Sequence, residues 1–127
     1  MEKSELIVYK PIGVIRTPFV DPQGTPIQPA AARGIQGRVE VFPEYAEGLA
    51  DLIGFSHLIL IYHLHRSGPP KLRVRPFLDS REHGVFATRA PARPNPIGIS
   101  LVRLLGVEGN VLQISDVDIL DLSLIHI

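Results

Sequence analysis

The sequence of 127 residues contains no cysteine. Disulfide bonds, thiolate zinc sites and cysteine nucleophiles are therefore excluded together, and nothing follows about compartment because a reducing cytosol merely permits cysteine-free chains. No apolar run approaches the roughly 18 residues that a membrane-spanning helix needs. The start of the chain, MEKSELIVYK, carries charges where a signal peptide needs an apolar stretch. We therefore expect a soluble, unexported protein of the cytoplasm that does not contact a membrane.

A net charge is also absent, because 13 Lys and Arg residues balance 13 Asp and Glu residues. The distribution is nevertheless uneven, since the stretch 66–103 holds eight basic residues against two acidic ones, Asp79 and Glu82. The basic residues are Arg66, Lys71, Arg73, Arg75, Arg81, Arg89, Arg93 and Arg103. Such segregation is typical of an electropositive face for phosphate or nucleic acid, or of a merely solvated face.

Length and a hydrophobic content of 45% indicate one globular domain over residues 1–127. A helix is predicted for PEYAEGLADLIG, where Pro43 suits a first helical turn and Gly54 a stop. The remaining periodic segments predict strands: LIVYKPIGVIR, RVEVF, FSHLILIYHLH, RVRPF, GVFAT and the pair within GISLVRLLGVEGNVLQISDVDI. Strands without intervening helices favour an all-β fold, with an antiparallel sheet closed or half closed into a barrel and one short helix.

The stretch ATRAPARPNPIGIS predicts a rigid loop. Proline fixes its own φ and keeps the preceding residue extended, so Pro94 and Pro96 leave Arg93 and Asn95 little freedom. Such a loop loses little entropy when a ligand binds, and Gly98 permits close approach to the backbone. The alternative is a stiff connector between strands.

Arg89 and Arg93 lie four positions apart on this stretch, and a guanidinium is the natural receptor for a carboxylate or phosphate. Arg89 follows the apolar segment GVFAT, so we expect its backbone to be fixed by the sheet. His63 and His65 have the spacing of two ligands on one strand face, but no third ligand is evident and a structural histidine pair is the alternative. No metal is expected.

Common catalytic motifs are missing: there is no G-x-S-x-G, no P-loop, no H-E-x-x-H and no dinucleotide fingerprint. Residue chemistry therefore predicts a β-rich domain with a rigid, arginine-bearing anion site, but it does not indicate which reaction, if any, the protein catalyses.

The segments IGVIRTPF, FSHLILIYHLH, VRPFLD, GVFATRAPARPNPIGIS and GNVL occur in the order found in the TsaA-like (YaeB, TrmO) family, which the chain resembles over nearly its whole length. GVFATR followed by RPNPIG is the most specific part. The resemblance implies a single-sheeted β-barrel that binds S-adenosylmethionine and forms homodimers. It also implies a tRNA partner, methylated on N6 of the threonylcarbamoyladenosine beside the anticodon.

Carried over by resemblance, the cofactor site begins with a PRQP-like loop, which here reads PIQP and has Ile27 in place of the family's arginine. The family's remaining cofactor positions correspond to the end of the long apolar strand, to the arginine after AT, to the position after GIS and to the strand before the C-terminal turn. The implied cofactor-binding residues are Ile27, Gln28, Pro29, His65, Arg66, Arg89, Leu101, Val117, Asp118, Ile119 and Leu120. Arg93, Pro94, Asn95, Pro96 and Gly98 are expected to support the loop.

The tail departs from the family, which continues LDGTP and then an LDIKPY-like strand. Here the chain reads LDLSLIHI, so it lacks the glycine turn and the closing basic-aromatic strand of the family pattern.

The resemblance implies direct displacement of the methyl group from the sulfonium to the base nitrogen, with proximity and alignment supplying most of the acceleration. The substrate N–H lies between adenine and a carbonyl, so a modest base suffices, and Asp118 and His65 are the candidates. The alternatives are a non-catalytic S-adenosylmethionine- or RNA-binding module and a small metal-binding protein using His63 and His65.

Overall fold

The computed structural model describes residues 5–20, 32–76 and 79–127. Eight strands are present in this part of the chain. They are β1 (Gly13–Arg16), β2 (Gln36–Val41), β3 (His57–His63), β4 (Arg73–Val74), β5 (His83–Gly84), β6 (Ile97–Glu108), β7 (Val111–Ser115) and β8 (Leu124–His126). Three 3₁₀ helices span Pro43–Leu49, Leu52–Gly54 and Val85–Ala87.

Six of the strands close into a barrel in the order β1-β2-β7-β6-β3-β8, with every neighbouring pair antiparallel. The alternation of side chains explains the barrel, because β3 buries Leu58, Leu60 and Tyr62 and exposes the residues between them. Closure pairs both edges of every barrel strand and so removes the exposed edges of an open sheet. The predicted all-β, single-sheeted antiparallel barrel is confirmed. β4 and β5 form a separate two-stranded sheet in the long connection between β3 and β6.

The C-terminal tail supplies the strand that closes the barrel, despite its departure from the family pattern. Leu124–His126 pairs with β1 on one side and β3 on the other, and Ile125 is only 2% exposed. Leu122 stands where the family pattern has the glycine, and it adopts a left-handed conformation with φ 66°. A leucine thus adopts here a conformation that glycine adopts most easily.

Three local predictions need correction. The predicted helix over 43–54 forms as two 3₁₀ helices, because Asp51 has a φ of 68° between them and Leu49 is the only buried residue that either contributes. GVFAT was expected to be a strand, but Val85–Ala87 is a 3₁₀ turn, closed by two hydrogen bonds from Thr88 to the Val85 carbonyl. The first predicted strand is shorter than expected, since residues 6–9 are exposed and outside the sheet.

The barrel has two chemically different ends. At one end, which we call the capped end, Tyr45, Leu49 and Leu52 pack against the core and a turn at Gly109 joins β6 to β7. At the other end, which we call the polar end, β1, β3 and β7 finish and β2, β6 and β8 begin. The prolines and arginines of the stretch 87–100 lead into β6 at the polar end.

Candidate functional site

A chain of hydrogen bonds crosses the polar end of the barrel. Ser100 Oγ donates to Asp118 Oδ1 at 2.6 Å, and the Tyr62 and Ser100 hydroxyl oxygens are 2.9 Å apart. Arg89 contacts the other carboxylate oxygen, with Nη1 3.5 Å from Oδ2, and donates Nη2 to the Ile99 carbonyl at 2.9 Å. Arg89 and Asp118, both implied by the family resemblance, are thus in contact although they lie 29 positions apart in sequence.

The direction of the protons in this chain follows from the chemistry of the groups. An ionised carboxylate only accepts, so the single hydroxyl proton of Ser100 is directed at Asp118. Tyr62 must then be the donor to Ser100. Burial raises the pKa of the Tyr62 phenol above its usual value, although the Ser100 hydrogen bond opposes the effect. Tyr62 therefore stays protonated and keeps the chain oriented.

Gly98 leaves room for the ring of Tyr62, which lies against its Cα. The two residues are cross-strand partners in β6 and β3, and a Cβ at position 98 would lie 2.4 Å from the tyrosine ring. The expected close approach to the Gly98 backbone is thus made by the protein's own side chain. Any larger residue here would displace the ring from Ser100.

The proline-rich loop is braced by an arginine as well as by its prolines. Arg93 Nη1 donates to the Thr88 carbonyl at 2.8 Å and lies 3.4 Å from the Ala90 carbonyl. The loop is fastened to β3 by the Leu64 amide, which donates to the Pro96 carbonyl at 2.7 Å. Arg93 thus braces the loop through these contacts, whereas Arg89 remains half exposed with its side chain at 48%.

A cleft of about 440 Å³ lies between this loop and the strands. Its polar lining includes Thr88, Arg89, Arg93 and Asn95, and its apolar lining includes Leu64, Phe86, Ile97 and Ile99. Tyr62 and Gly98 complete the lining. The volume falls in the usual range for small-molecule sites, and the mixture of guanidinium, amide and apolar groups suits a ligand with an anionic end and an aromatic end.

The other residues implied by the resemblance lie in different environments. His65 is exposed, with Nδ1 3.4 Å from Ser123 Oγ, and Arg66 donates to the Val20 carbonyl at 3.0 Å. Val117 and Ile119 are buried in the core, and the Leu120 carbonyl accepts from Ser123 Oγ at 2.7 Å. Leu101 is 61% exposed on the outer face of β6. Ile27, Gln28 and Pro29 lie outside the described residues.

The described residues contain neither a group of side chains that could hold a metal ion nor a helix that could cross a membrane. No group of three or more His, Asp or Glu side chains within 5–20, 32–76 and 79–127 could hold a metal ion. Across the same ranges, no helix has the length and apolar character needed to cross a membrane.

Tyr62 and Ser100 are site residues that the sequence reasoning missed. Both occupy inward positions of strands whose other inward residues are apolar, such as Leu60 and Val102. A polar residue in the core phase of an alternating strand needs a hydrogen-bond partner, so this phase was an available signal. It would have flagged the residues without naming Asp118 as their partner.

The family of the tRNA-methyltransferase O N-terminal domain matches residues 14–126 of the chain. A Pyrococcus abyssi protein named "Probable S-adenosyl-L-methionine-binding protein" is 60% identical over 116 residues, which are 91% of this chain and 63% of the relative. A Mus musculus protein named "tRNA (adenine(37)-N6)-methyltransferase" is 33% identical over 122 residues, which are 91% of this chain and 28% of the relative.

Solved structures with the same fold agree with these matches. A structure titled "Crystal structure of TrmO" superposes with a TM-score of 0.79 at 38% identity and covers 95% of this chain and 55% of its own. The Pseudomonas aeruginosa TrmO structure gives 0.74 at 37% identity and covers 97% and 54%. The chain thus spans about half of these proteins and less than two thirds of the Pyrococcus relative.

Proposed function

The chain belongs to the family of the tRNA-methyltransferase O N-terminal domain, and we propose that it uses S-adenosylmethionine to methylate N6 of an adenine in tRNA. We propose further that the substrate is the threonylcarbamoyladenosine beside the anticodon. The observation that carries the proposal is the cleft at the polar end, where Arg89 is held by Asp118 and Ile99 and still exposes about half of its side chain. A tRNA substrate would place the protein in the cytoplasm.

The residues of the cleft fit the cofactor by the chemistry of their groups. Arg89 keeps guanidinium donors for an α-carboxylate, Asn95 offers a side-chain amide, and Phe86, 75% exposed, offers a ring for adenine. When bound, S-adenosylmethionine supplies a methyl group on an electrophilic sulfonium. The braced loop would hold the reacting groups in line, and we expect this alignment to supply most of the acceleration.

The two candidate bases for removing the N6 proton, Asp118 and His65, differ in exposure and in hydrogen bonding. The Asp118 side chain is only 4% exposed, and Ser100 and Arg89 already contact both of its oxygens. Asp118 is therefore a positioning residue that acts through Arg89. His65 is exposed beside Ser123, so we propose that its imidazole accepts the N6 proton as the methyl group is transferred.

The experiment is methyl transfer to tRNA from cells lacking this methylation, with labelled S-adenosylmethionine and mass spectrometry of the digested nucleosides. We expect one labelled nucleoside, the N6-methylated threonylcarbamoyladenosine. At saturating cofactor, His65→Ala should slow transfer by about 100-fold, the usual share of a general base. Cofactor binding without labelled tRNA would instead identify a non-catalytic binding module, and labelled N6-methyladenosine without the threonylcarbamoyl group would overturn the substrate proposed.

We also propose that the protein forms a homodimer through the outer wall of β3, β6 and β8. Register places Ile59 opposite Leu101 and Ile61 opposite Ile99, and all four are exposed, as is Leu124 on β8. A contiguous apolar wall of this kind on a soluble chain is typical of a protein interface. It also gives Leu101 a place at a subunit boundary, near the cleft that Ile99 lines.

Light scattering tests the homodimer. We expect twice the chain mass for the parent and the single-chain mass for Ile99→Lys, which replaces an already exposed side chain and should leave the fold intact. Ile53→Lys, at an exposed isoleucine of the capped end, is the control. A monomeric parent at high concentration would contradict the proposal.

A further inference from the structure

A second groove opens on the side of the barrel away from the apolar wall. It encloses about 300 Å³ and is lined by Arg16, Thr17, Gln36, Arg38 and Gln113, among others. The strands that carry these residues, β1, β2 and β7, are neighbours in the barrel, and β2 lies opposite β3 in the closed order. The groove is therefore separate from the cleft beside Arg89.

Strand register arranges the polar side chains of this groove in a row. Arg16 on β1 is the cross-strand partner of Arg38 on β2, and Arg38 is the partner of Gln113 on β7. Directly opposed like charges destabilise a sheet, so two guanidiniums side by side need an anion between them. Within the protein that anion is Glu40, a single carboxylate for two cations.

The geometry of Glu40 leaves most of the guanidinium donors available. Its Oε1 lies 3.1 Å from Arg38 Nε and 3.5 Å from Arg16 Nε, so both contacts are made at the inner nitrogen of each fork. The four terminal Nη atoms have no hydrogen-bond partner among residues 5–20, 32–76 and 79–127. Each arginine can therefore still bind a phosphate in bidentate fashion, and the groove has a net charge of one positive unit before a ligand arrives.

The groove lies at the polar end of the barrel, near the segment that carries Asp118. Arg16 ends β1, Gln36 begins β2, and Thr17 donates its hydroxyl to the Ile119 carbonyl at 2.8 Å. The Thr17 amide donates to Asp121 Oδ1 at 2.9 Å. If the target base of an RNA lies at the polar end, the neighbouring sugar-phosphate backbone can lie along the groove. Backbone contacts of this kind set the register of a nucleic acid on a protein.

We propose that the groove between β1, β2 and β7 binds backbone phosphates of the RNA substrate, with Arg16 and Arg38 as the anion receptors. The inference rests on the proposed tRNA substrate and adds a contact surface outside the cleft. It predicts that the double variant Arg16→Gln, Arg38→Gln weakens tRNA binding about tenfold at low salt. Each lost phosphate contact should also lower the slope of log affinity against log salt by about 0.7 to 0.9.

The test measures tRNA affinity over a salt series for the parent, the double variant and four single variants, with cofactor affinity as a second readout that this groove should not affect. Arg16→Gln and Arg38→Gln should each give part of the loss, and Lys10→Gln, at an exposed lysine outside the groove, is the charge-matched control. Glu40→Gln keeps an acceptor for both Nε atoms and removes the competing charge, so it should tighten tRNA binding severalfold. A purely structural role for the three residues predicts no such gain.

The outcomes separate this proposal from the function on which it rests. If the single and double arginine variants still methylate tRNA and bind it as tightly as the parent, the groove does not bind RNA, and the proposed function is unaffected. A parent that does not bind tRNA at all would overturn both. If inorganic phosphate raises the melting temperature of the parent but not of the double variant, while tRNA affinity is equal in the two, the groove is a small-anion site and the RNA contact is wrong.

Discussion

The two ends of the barrel are built from the same six strands and differ in what closes them. At the capped end, Leu49, Leu52 and Tyr45 continue the apolar core between the strands. At the polar end the core gives way to Tyr62, Ser100, Asp118 and Ser123, with Arg89 above them. Each buried side-chain nitrogen or oxygen among the described residues has a hydrogen-bond partner.

This difference assigns stability to one end and binding to the other. Apolar packing at the capped end contributes free energy of folding through area removed from water and needs no exact geometry beyond fit. The hydrogen bonds at the polar end add little net stability, because the same groups form hydrogen bonds with water in the unfolded chain and lose them on folding. They fix the position of Arg89 beside the cleft, and the cleft lies at the polar end and not at the capped end.

The largest expected effect is on stability at the capped end. Leu49 is 8% exposed and packed in the core, so Leu49→Ala should lower the free energy of unfolding by about 3 kcal/mol. Ile53→Ala, which trims an exposed side chain at the same end, should change it by less than about 0.5 kcal/mol. Denaturant unfolding measures both. A weaker cofactor affinity in folded Leu49→Ala would break the division between the ends.

Arg89 gives the corresponding test at the polar end. We expect Arg89→Ala to weaken S-adenosylmethionine binding by about 2 kcal/mol, or about thirtyfold, because it removes a charge-assisted contact. Arg89→Lys keeps the charge near Asp118 and loses the fork, so its affinity should lie between those of the parent and the alanine variant.

Calorimetric titration measures these affinities, with Arg73→Ala as the control because Arg73 pairs with Glu82 outside the cleft. Normal cofactor affinity in Arg89→Ala would show that Arg89 serves only to satisfy Asp118.

The tail at the polar end holds a conformation that its residue disfavours. Leu122, with φ 66°, carries a penalty of about 1–2 kcal/mol, and glycine would remove it while adding about 0.5–1 kcal/mol of unfolded-state entropy. Leu122→Gly should therefore stabilise the protein by about 0.5–1 kcal/mol in thermal or denaturant unfolding. Leu122→Ala keeps the Cβ and controls for loss of the side chain. Equal stability of the glycine and alanine variants would rule out strain at this turn.

The smallest effect concerns pH. The folded protein holds the Tyr62 proton more tightly than the unfolded chain, so the resulting stability is present below about pH 10 and is lost as pH rises through the raised pKa. Tyr62→Phe should therefore flatten the fall in unfolding free energy above about pH 10. Tyr9→Phe, at an exposed tyrosine, is the matched control. Parallel pH profiles for the parent and Tyr62→Phe would contradict the burial argument.

Most of the barrel could be predicted from strand periodicity, because alternation over β3 and β6 specifies which face is buried. The strand predicted for GVFAT was wrong because an apolar run of that length is equally compatible with a turn that buries Val85 alone. The rigid loop was predicted from its prolines, but the brace from Arg93 to the Thr88 and Ala90 carbonyls depends on a chain reversal that no pattern encodes.

The pairing of Arg89 with Asp118 could not be derived from the residues alone, because contacts between distant positions depend on barrel closure. The family resemblance implied both residues separately. The roles toward the cofactor that the resemblance implies for all of these residues remain predictions, and so does the part of Ile27, Gln28 and Pro29.

Amide chemical shifts recorded during a titration with S-adenosylmethionine test directly whether the polar end holds the cofactor. We expect the largest shifts within residues 86–99 and 118–123, with residues 43–54 at the capped end nearly unchanged. Shifts concentrated at the capped end, or none at saturating cofactor, would contradict it.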